Sequence, residues 1–233
     1  MRWSGEFAFG EVWVAFRGAS AENRMHAHAA LQVVASSDGL TLVDADTSEY
    51  CGRAWVVRSG ARHRLLPASA LTLVLIEPQS RLATGLLQRL PEAPIAQLPD
   101  DLAELLLSSM PIHEVVQTLQ RGVLEGSAPI DSRLLKALAF LDQHAAHDAV
   151  TAASEHCGLS PSRLRALAQK QFGVPLSKLL LWKKVRRAFF AMGRGSSLVD
   201  AAYEAGFADQ AHLTRTMADV IGLTPHTAQT AVD

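Results

Sequence analysis

The sequence predicts an α+β protein of two domains, a small antiparallel β-barrel followed by an all-α domain with two helix-turn-helix units. Three observations support this fold class. Residues 7–78 hold short segments rich in β-branched and aromatic residues, prolines at 91, 94 and 99 interrupt the chain, and the later segments place apolar residues at helical spacing. With 233 residues, 48% of them hydrophobic, the chain is long enough for two separate cores.

The predicted strands are short and separated by glycine, serine and aspartate turns. They read FAFGEVWVAF, LQVVA, LTLVD, AWVVR and LTLVLIEP along the chain. Short strands at this spacing are typical of a small antiparallel barrel or sandwich. We therefore assign residues 1–90 to a β domain.

Two short helices are predicted in residues 91–130, which link the domains. Each helix carries a heavily apolar face, with Leu102, Leu105 and Leu106 in the first and Ile112, Val115, Val116 and Leu119 in the second. These faces offer more apolar surface than a small barrel needs to cover. We therefore expect the segment to support a homodimer.

A duplicated pattern occupies residues 131–233. Leu164 corresponds to Leu213 and Gly173 to Gly222, an offset of 49 residues in both cases. Each copy has a helix of small residues, a glycine-containing turn and a second helix. This order is the helix-turn-helix motif, and the two units are predicted at about 149–173 and 197–222.

Capping residues mark the helix ends in this region. Ser160, followed by a proline, and Asp209 are predicted to start the second helix of each unit, and Asp131 is predicted to start the helix that precedes the first unit. Each second helix ends at a glycine with a proline shortly after it. The helix LSKLLLWKKVRRAFFAM joins the two units.

Basic residues are concentrated between positions 158 and 187, where the chain has no aspartate or glutamate. They are Arg163, Arg165, Lys170, Lys178, Lys183, Lys184, Arg186 and Arg187. A run of one sign across consecutive helices indicates a polyanionic partner, although an ordinary solvated face is the alternative. A helix fits the major groove of DNA and reads base edges from its N-terminal turns.

The segments LSPSRLRALAQKQFG, RRA and GFADQAHLTRTM…GLTP make residues 131–233 resemble the DNA-binding domain of the AraC/XylS family of bacterial transcription regulators. The resemblance implies a sequence-specific regulator that binds an operator in double-stranded DNA. It places base-reading or adjacent positions at Ser162, Arg163, Arg165 and Ala166 in the first unit and at Gln210, Ala211, His212 and Arg215 in the second, with Thr214 as a phosphate contact. Arginine suits guanine and glutamine suits adenine in the major groove.

The second unit departs from the family pattern because it is acidic. Arg215 is its only Lys or Arg, beside Asp200, Glu204, Asp209 and Asp219. We therefore expect the first unit and the joining helix to supply most of the attraction for phosphates.

The segment MHAHAALQ holds the other candidate site. Members of the family commonly carry a cupin-like effector domain before the DNA-binding domain, and residues 1–90 resemble a shortened one. A metal-binding cupin has His-x-His, a Glu four residues on, and a glycine-led second motif that ends in a third His. The matching residues here are His26, His28, Gln32, Gly52, Gly60 and His63, with Arg58 where the family has proline.

Three interpretations of His26, His28, Gln32 and His63 stay open. On one strand, residues at even spacing share a face, so His26, His28 and Gln32 could converge with His63 from a neighbouring strand on one divalent zinc, nickel, iron or copper ion. They could instead line the pocket of a small organic effector, which Arg58, Arg62 or Arg64 would favour as an anion if one pointed inward. The third interpretation is that they have no role. His113, His144, His147, His156 and His226 are expected to be surface or hydrogen-bonded histidines.

Together these features predict a cytoplasmic regulator that is not an enzyme and has no membrane segment. Its partners are operator DNA, a small-molecule or metal effector, a second copy of the chain and, as a further candidate, RNA polymerase. Cys51 and Cys157 are expected to be reduced thiols. One alternative is a metal-dependent cupin enzyme with an appended helical domain, and another is a regulator whose β domain only dimerises. The effector, the operator sequence and the sign of regulation do not follow from the sequence.

Overall fold

The computed structural model describes residues 3–123, 129–144 and 148–229, and in them an antiparallel β domain precedes a helical domain, as predicted. The strands are β1 (Ser4–Gly10), β2 (Trp13–Ser20), β3 (Leu31–Asp44), β4 (Glu49–Val57), β5 (His63–Leu65), β6 (Ala68–Ile76) and β7 (Ile95–Gln97). The helices are α1 (Arg81–Gln88), α2 (Asp100–Leu107), α3 (Ile112–Val123), α4 (Ser132–Gln143), α5 (Ala149–His156), α6 (Pro161–Phe172), α7 (Leu176–Gly193), α8 (Leu198–Glu204), α9 (Gln210–Ile221) and α10 (Pro225–Gln229). No helix within these ranges is both long and apolar enough to cross a bilayer.

The strands form one sheet in the order β1-β2-β6-β3-β4-β7, and β5 pairs with β3 outside this path. The long strand β3 shifts register against β4 between Ala35 and Leu40, next to Gly39 with φ +83°. Before the shift β3 pairs with β6, and after it β3 pairs with β5. This irregularity lets one strand serve two different neighbours on the same edge.

Both faces of the sheet are buried, and alternation along each strand decides which residue faces which side. Val33 and Val74 pack with α1, α2 and α3 on the outer face, whereas Phe16, Val34 and Leu42 pack in the barrel interior. The apolar residues of α2 and α3 are therefore covered within a single chain. The apolar faces of α2 and α3 therefore give no support for a homodimer, and dimerisation stays a prediction.

A strand lies in the proline-containing segment, where only helices were expected after residue 91. Residues 95–97 form β7 and pair with Trp55, Val56 and Val57 of β4. The expectation of helices throughout this region is wrong at β7. Periodicity could not detect it because three residues are too few to show an alternating pattern.

The predicted caps of the helical domain are confirmed. The side chain of Ser160 accepts a hydrogen bond from the backbone of α6, and Asp209 does the same for α9. Asp131 caps α4. Both α6 and α9 end at left-handed glycines, Gly173 with φ +72° and Gly222 with φ +73°.

The helical domain is joined to the β domain by a buried carboxylate. Glu77, at the end of β6, is 2% exposed and accepts hydrogen bonds from Trp182 Nε1 at 3.2 Å and Arg186 Nε at 2.8 Å, both on α7. Arg186 also donates to the carbonyl of Glu11 at 2.6 Å. Phe9 packs on Phe190 beside this contact, so α7 is held against the sheet by charge and by aromatic burial.

We predict that Glu77→Gln lowers the free energy of unfolding by about 3 kcal/mol, because it leaves the buried Arg186 without its counter-ion. The matched control is Glu104→Gln, which breaks the pair with Arg53 in which the side chains are 58% and 64% exposed. The control should cost less than about 1 kcal/mol. Urea unfolding measures both, and equal losses would show that the Glu77 contact contributes no more than a surface ion pair.

Candidate functional site

Four side chains come together in the interior of the β domain. Those of His26 and His28 are 4% exposed, that of Gln32 is 3% exposed and that of His63 is fully buried at 0%. The prediction that His26, His28 and Gln32 lie on one strand is wrong, because β3 begins only at Leu31. An isolated antiparallel bridge pairs His26 with His63 instead, and their backbone N–H and C=O groups bond reciprocally at 3.0 Å. Strand pairing, rather than alternation along one strand, therefore brings the residues together.

The three rings are close enough to share one ion. One ligand nitrogen of each of His26, His28 and His63 lies within 4.8 Å of the others. Gln32 Oε1 is 3.2 Å from His28 Nε2 and 3.3 Å from His63 Nε2. Tetrahedral ligands at a metal distance of 2.0–2.1 Å are about 3.4 Å apart, so the ring nitrogens would have to approach one another by up to about 1.4 Å.

Backbone carbonyl groups fix the tautomer of each ring. The Nδ1 atom of each lies 2.8–3.0 Å from a carbonyl oxygen two residues away, that of Arg24 for His26, Ala30 for His28 and Ala61 for His63. A carbonyl can only accept, so each Nδ1 carries the proton and each Nε2 presents a lone pair. Metal-ligating histidines are oriented by the same kind of outer contact.

The Nε2 lone pairs of His28 and His63 therefore face the acceptor oxygen of Gln32. With Nε2 unprotonated, the contacts of Gln32 Oε1 with His28 and His63 have no hydrogen between their atoms. Two changes remove this conflict: rotation of the amide so that its nitrogen donates, or a cation between the lone pairs. The donor set of three imidazoles and an amide oxygen fits zinc, nickel, iron or copper.

Burial keeps the three histidines neutral. Desolvation, reinforced by the neighbouring His28, lowers the pKa of His26 to about 3. Burial also lowers the pKa of His28, and it lowers that of His63 well below its usual value with help from the other two rings. Neutral imidazole is the form that binds a metal.

None of the three arginines near His63 points toward the rings. Arg58 donates to the carbonyls of Leu90 and Pro91, and Arg62 is exposed. Arg64 pairs with Glu22 on the wall of a groove of about 800 Å³ that also touches Trp3, Arg24 and Thr224. Arg24, Arg64 and the acidic Glu22 thus line a groove between the domains that is separate from the histidine cluster.

The segments that carry the histidines contact the helical domain at both second helices of the helix-turn-helix units. Arg24 N–H donates to the carbonyl of Gly222, the C-cap of α9, at 3.2 Å. A Cβ at Gly222 would lie 3.0 Å from His26 Nδ1, and one at Gly60 would lie 2.9 Å from Val174, next to the C-cap of α6. The His28 ring also lies 5.9 Å from that of Trp182 on α7.

Sequence reasoning missed Gly222, Val174, Trp182 and Glu77 as neighbours of this site. Each contact joins residues more than a hundred positions apart, and no local pattern signals such a pair. In the sequence only Gly173 and Gly222 stand out, and their pattern predicts helix ends rather than contacts with this site.

The predicted DNA-reading residues lie on the exposed faces of α6 and α9. All are exposed except Thr214, which is half-buried and donates from its hydroxyl to the carbonyl of Gln210. Those on α6 are Ser162, Arg163, Arg165 and Ala166, and those on α9 are Gln210, Ala211, His212 and Arg215. The structure contains no DNA contact, so their roles stay predictions.

Most basic residues of α7 form ion pairs or hydrogen bonds with other groups of the protein. Lys183 is buried and pairs with Asp142 at 2.6 Å, and Arg187 pairs with the same carboxylate at 3.1 Å. Arg186 pairs with Glu77, and Lys184 donates to the carbonyl of Gly206 at 2.9 Å. These four side chains contact carboxylates and backbone carbonyls of the protein, and the expectation that the joining helix supplies much of the phosphate attraction stays a prediction.

The remaining histidines and the cysteines lie apart from the site. His113, His144, His156 and His226 are exposed, while His147 lies outside the described residues. His144 stacks on Phe140 with the ring centroids 3.9 Å apart. Cys51 and Cys157 form no disulfide.

Comparison with known proteins finds similarity both in the helical domain and in the fold of the whole chain. The model of the helix-turn-helix domain family matches residues 153–231. No curated protein matches the chain. Among solved structures, an apo point variant of ToxT from Vibrio cholerae is similar over 96% of this chain and 99% of that chain, with 10% identity and a TM-score of 0.66.

Two ligand-bound structures of ToxT from Vibrio cholerae are also similar. One holds an unsaturated fatty acid (TM-score 0.60, 9% identity, 97% of both chains). The other holds (E)-4-(8-methylnaphthalen-1-yl)but-3-enoic acid (TM-score 0.60, 11% identity, 96% of this chain and 100% of that chain). At such low identity the similarity concerns the fold.

The neutral histidines predict a loss of stability in acid. They protonate in the unfolded chain near pH 6.5 and stay neutral in the folded protein, so the unfolded state binds more protons below that pH. The free energy of unfolding should fall as the pH decreases from about 6.5 toward the lowered folded pKa, about 3 for His26. Each ring contributes about 1.4 kcal/mol per pH unit.

Urea unfolding of the metal-free protein between about pH 7.5 and about pH 5 measures this slope. His26→Gln should reduce it, whereas the exposed control His113→Ala should leave it unchanged. An identical slope in wild type and His26→Gln would contradict the assignment of a buried, neutral His26.

Proposed function

The chain carries an AraC-type helix-turn-helix domain at residues 153–231 behind an N-terminal antiparallel β domain, and from this premise we propose that it is a transcription regulator whose DNA binding is controlled by a metal ion in the β domain. DNA binding follows from the domain family. The identity of the effector is our proposal, and the observation that carries it is the cluster of one ring nitrogen from each of the three histidines within 4.8 Å, with Gln32 Oε1 beside His28 and His63.

The DNA-binding surface is formed by the N-terminal turns of α6 and α9. Both helices begin at a side-chain cap, and both expose polar residues there, so they can enter successive segments of the major groove. Arg163 and Arg165 are exposed, and neither has a carboxylate partner among the described residues. We infer that they supply the main base and phosphate contacts of the first unit.

The histidine cluster is placed to influence both units. The segment that holds His26 bonds to the C-cap of α9, and the loop that precedes His63 touches the residue after the C-cap of α6. If the three imidazoles held an ion, they would approach one another, and the segment of His26 and the loop before His63 would move toward the centre of the cluster. We infer that this movement changes the spacing of α6 and α9 and hence the affinity for the operator, since a ligand shifts a two-state equilibrium through its differential contacts.

A small organic acid is the second candidate effector. The groove between the domains is about 800 Å³ and presents Trp3 beside Arg24 and Arg64, which suits an apolar molecule with a carboxylate. ToxT, which shares this fold, is known with an unsaturated fatty acid bound. The metal and the acid use different residues, so removal of the histidines distinguishes them.

The metal proposal predicts about one equivalent of transition metal per chain when the protein is purified without a histidine tag. Mass spectrometry of the metal content measures it after exposure to zinc, nickel or copper and dialysis. The double variant His26→Ala/His63→Ala should lose the metal. Its control, His113→Ala/His156→Ala, also removes two histidines, both exposed, and should keep it. Wild-type protein that holds no metal after this treatment would exclude a metal effector. The organic acid in the groove would then remain as the candidate.

The DNA proposal predicts a specific role for Arg165. With an operator selected in vitro from random DNA, Arg165→Ala should weaken operator binding by about 1–3 kcal/mol and relax one base preference. Lys170→Ala removes the same charge from the C-terminal end of the same helix and should weaken operator and random DNA alike. If Arg165→Ala also weakened both DNAs equally, α6 would not read bases through this residue.

A further inference from the structure

A small cavity adjoins the histidine cluster on the side that faces the helical domain. Its volume is about 50 Å³, and His26, His28 and Gln32 form one wall. Most of the rest is apolar, with Phe7, Phe16 and Leu73 of the sheet and Phe189 and Ile221 of the helical domain, and the buried amide side chain of Asn23 also lines it. No Asp, Glu, Lys or Arg among the described residues lines it. We call this cavity the chamber.

The donor set leaves the charge of a divalent ion uncompensated. Imidazole binds a metal in its neutral form, and the fourth donor is the amide of Gln32, where a carboxylate would supply a negative charge. The buried carboxylate Glu77 is already paired with Arg186. A dication enclosed among neutral groups and apolar walls is costly unless an anion accompanies it.

The chamber has the size that such an anion needs, and two of its lining residues, Asn23 and Trp3, carry side-chain N–H donors. A water molecule accounts for about 30 Å³ of liquid, so 50 Å³ admits a ligand of two or three heavy atoms. Trp3 also lines the chamber, and it is 5% exposed. Within the described part of the chain, its Nε1 is a buried donor that lacks a hydrogen-bond partner.

We propose that the β domain binds a divalent metal ion together with a small monoanion of two or three heavy atoms, which occupies the chamber, balances the charge of the ion as a further ligand and accepts a hydrogen bond from Trp3 Nε1. This rests on the proposed metal function. The anion contacts Phe189 of α7, Ile221 of α9 and Leu223 beyond it. It is therefore part of the interface between the domains, and the regulator responds to the metal and the anion jointly.

The test uses the full chain with cobalt(II) and azide, a linear three-atom monoanion, as the probes. Visible absorption follows the coordination of cobalt, and titrations with and without azide give its affinity. Azide should produce a new absorption band and raise the apparent cobalt affinity by at least about tenfold, or 1.4 kcal/mol. Cobalt that binds at one equivalent while azide changes neither its spectrum nor its affinity overturns the proposal and leaves the metal function intact.

Three variants separate the two parts of the site. Gln32→Glu supplies the missing negative charge, so it should bind cobalt at least tenfold more tightly without azide and lose the azide effect. Trp3→Phe removes the Nε1 donor and should weaken azide several-fold without changing cobalt affinity. Its control, Trp13→Phe, changes a buried tryptophan on the outer face of the sheet and should leave both affinities as in wild type.

Failure of the two proposals is distinguishable in the same titration. If cobalt binds neither with nor without azide to folded wild-type protein, both the metal function and the anion proposal fall. If Gln32→Glu gains no cobalt affinity and responds to azide like wild type, the charge argument for the anion is wrong, even though the metal site stands. Circular dichroism establishes that each variant is folded before it is compared.

Discussion

Glu77 is a carboxylate buried between the two domains, and the positions of both functional surfaces depend on it. Its partners Trp182 and Arg186 lie one turn apart on α7, the helix that connects the two helix-turn-helix units. Because an unpaired buried charge is costly, α7 is held at one place and in one rotation on the sheet. The two DNA-reading helices then project from a fixed support, and Trp182 is held beside His28.

The histidine cluster shares this interface with the helical domain. The glycine ends of α6 and α9 approach backbone segments of the β domain so closely that a Cβ at Gly222 would lie 2.8 Å from the carbonyl of Arg24. The left-handed φ of Gly222 and the short approach both require glycine. Gly222, which ends α9, therefore also lets this helix lie against the segment that precedes His26, so the proposed DNA-binding and effector sites meet at one contact.

The distribution of charge shows how tertiary structure changes the meaning of a sequence pattern. The run of eight basic residues between 158 and 187 is uniform in the sequence. In the structure, Lys183 and Arg187 share Asp142 and Arg186 holds Glu77, while Arg163 and Arg165 stay exposed on the helix predicted to read DNA. Residues of one uniform run therefore end in different surroundings, a difference that the spacing of charges along the chain does not predict.

The sequence by itself determined the features that depend on neighbouring residues: the strands of the β domain, the two helix-turn-helix units with their caps at Ser160 and Asp209, and the motif that holds His26, His28 and Gln32. Propensity, capping and spacing are local, so they are legible without a structure. Only the tertiary structure decided the strand β7, the pairing of His26 with His63, the tautomers of the rings and the chamber. These depend on which carbonyls, strands and helices meet across the fold, as with Glu77 and Trp182, which lie 105 positions apart. Such contacts are selected by global packing, for which no short stretch of sequence carries a signal.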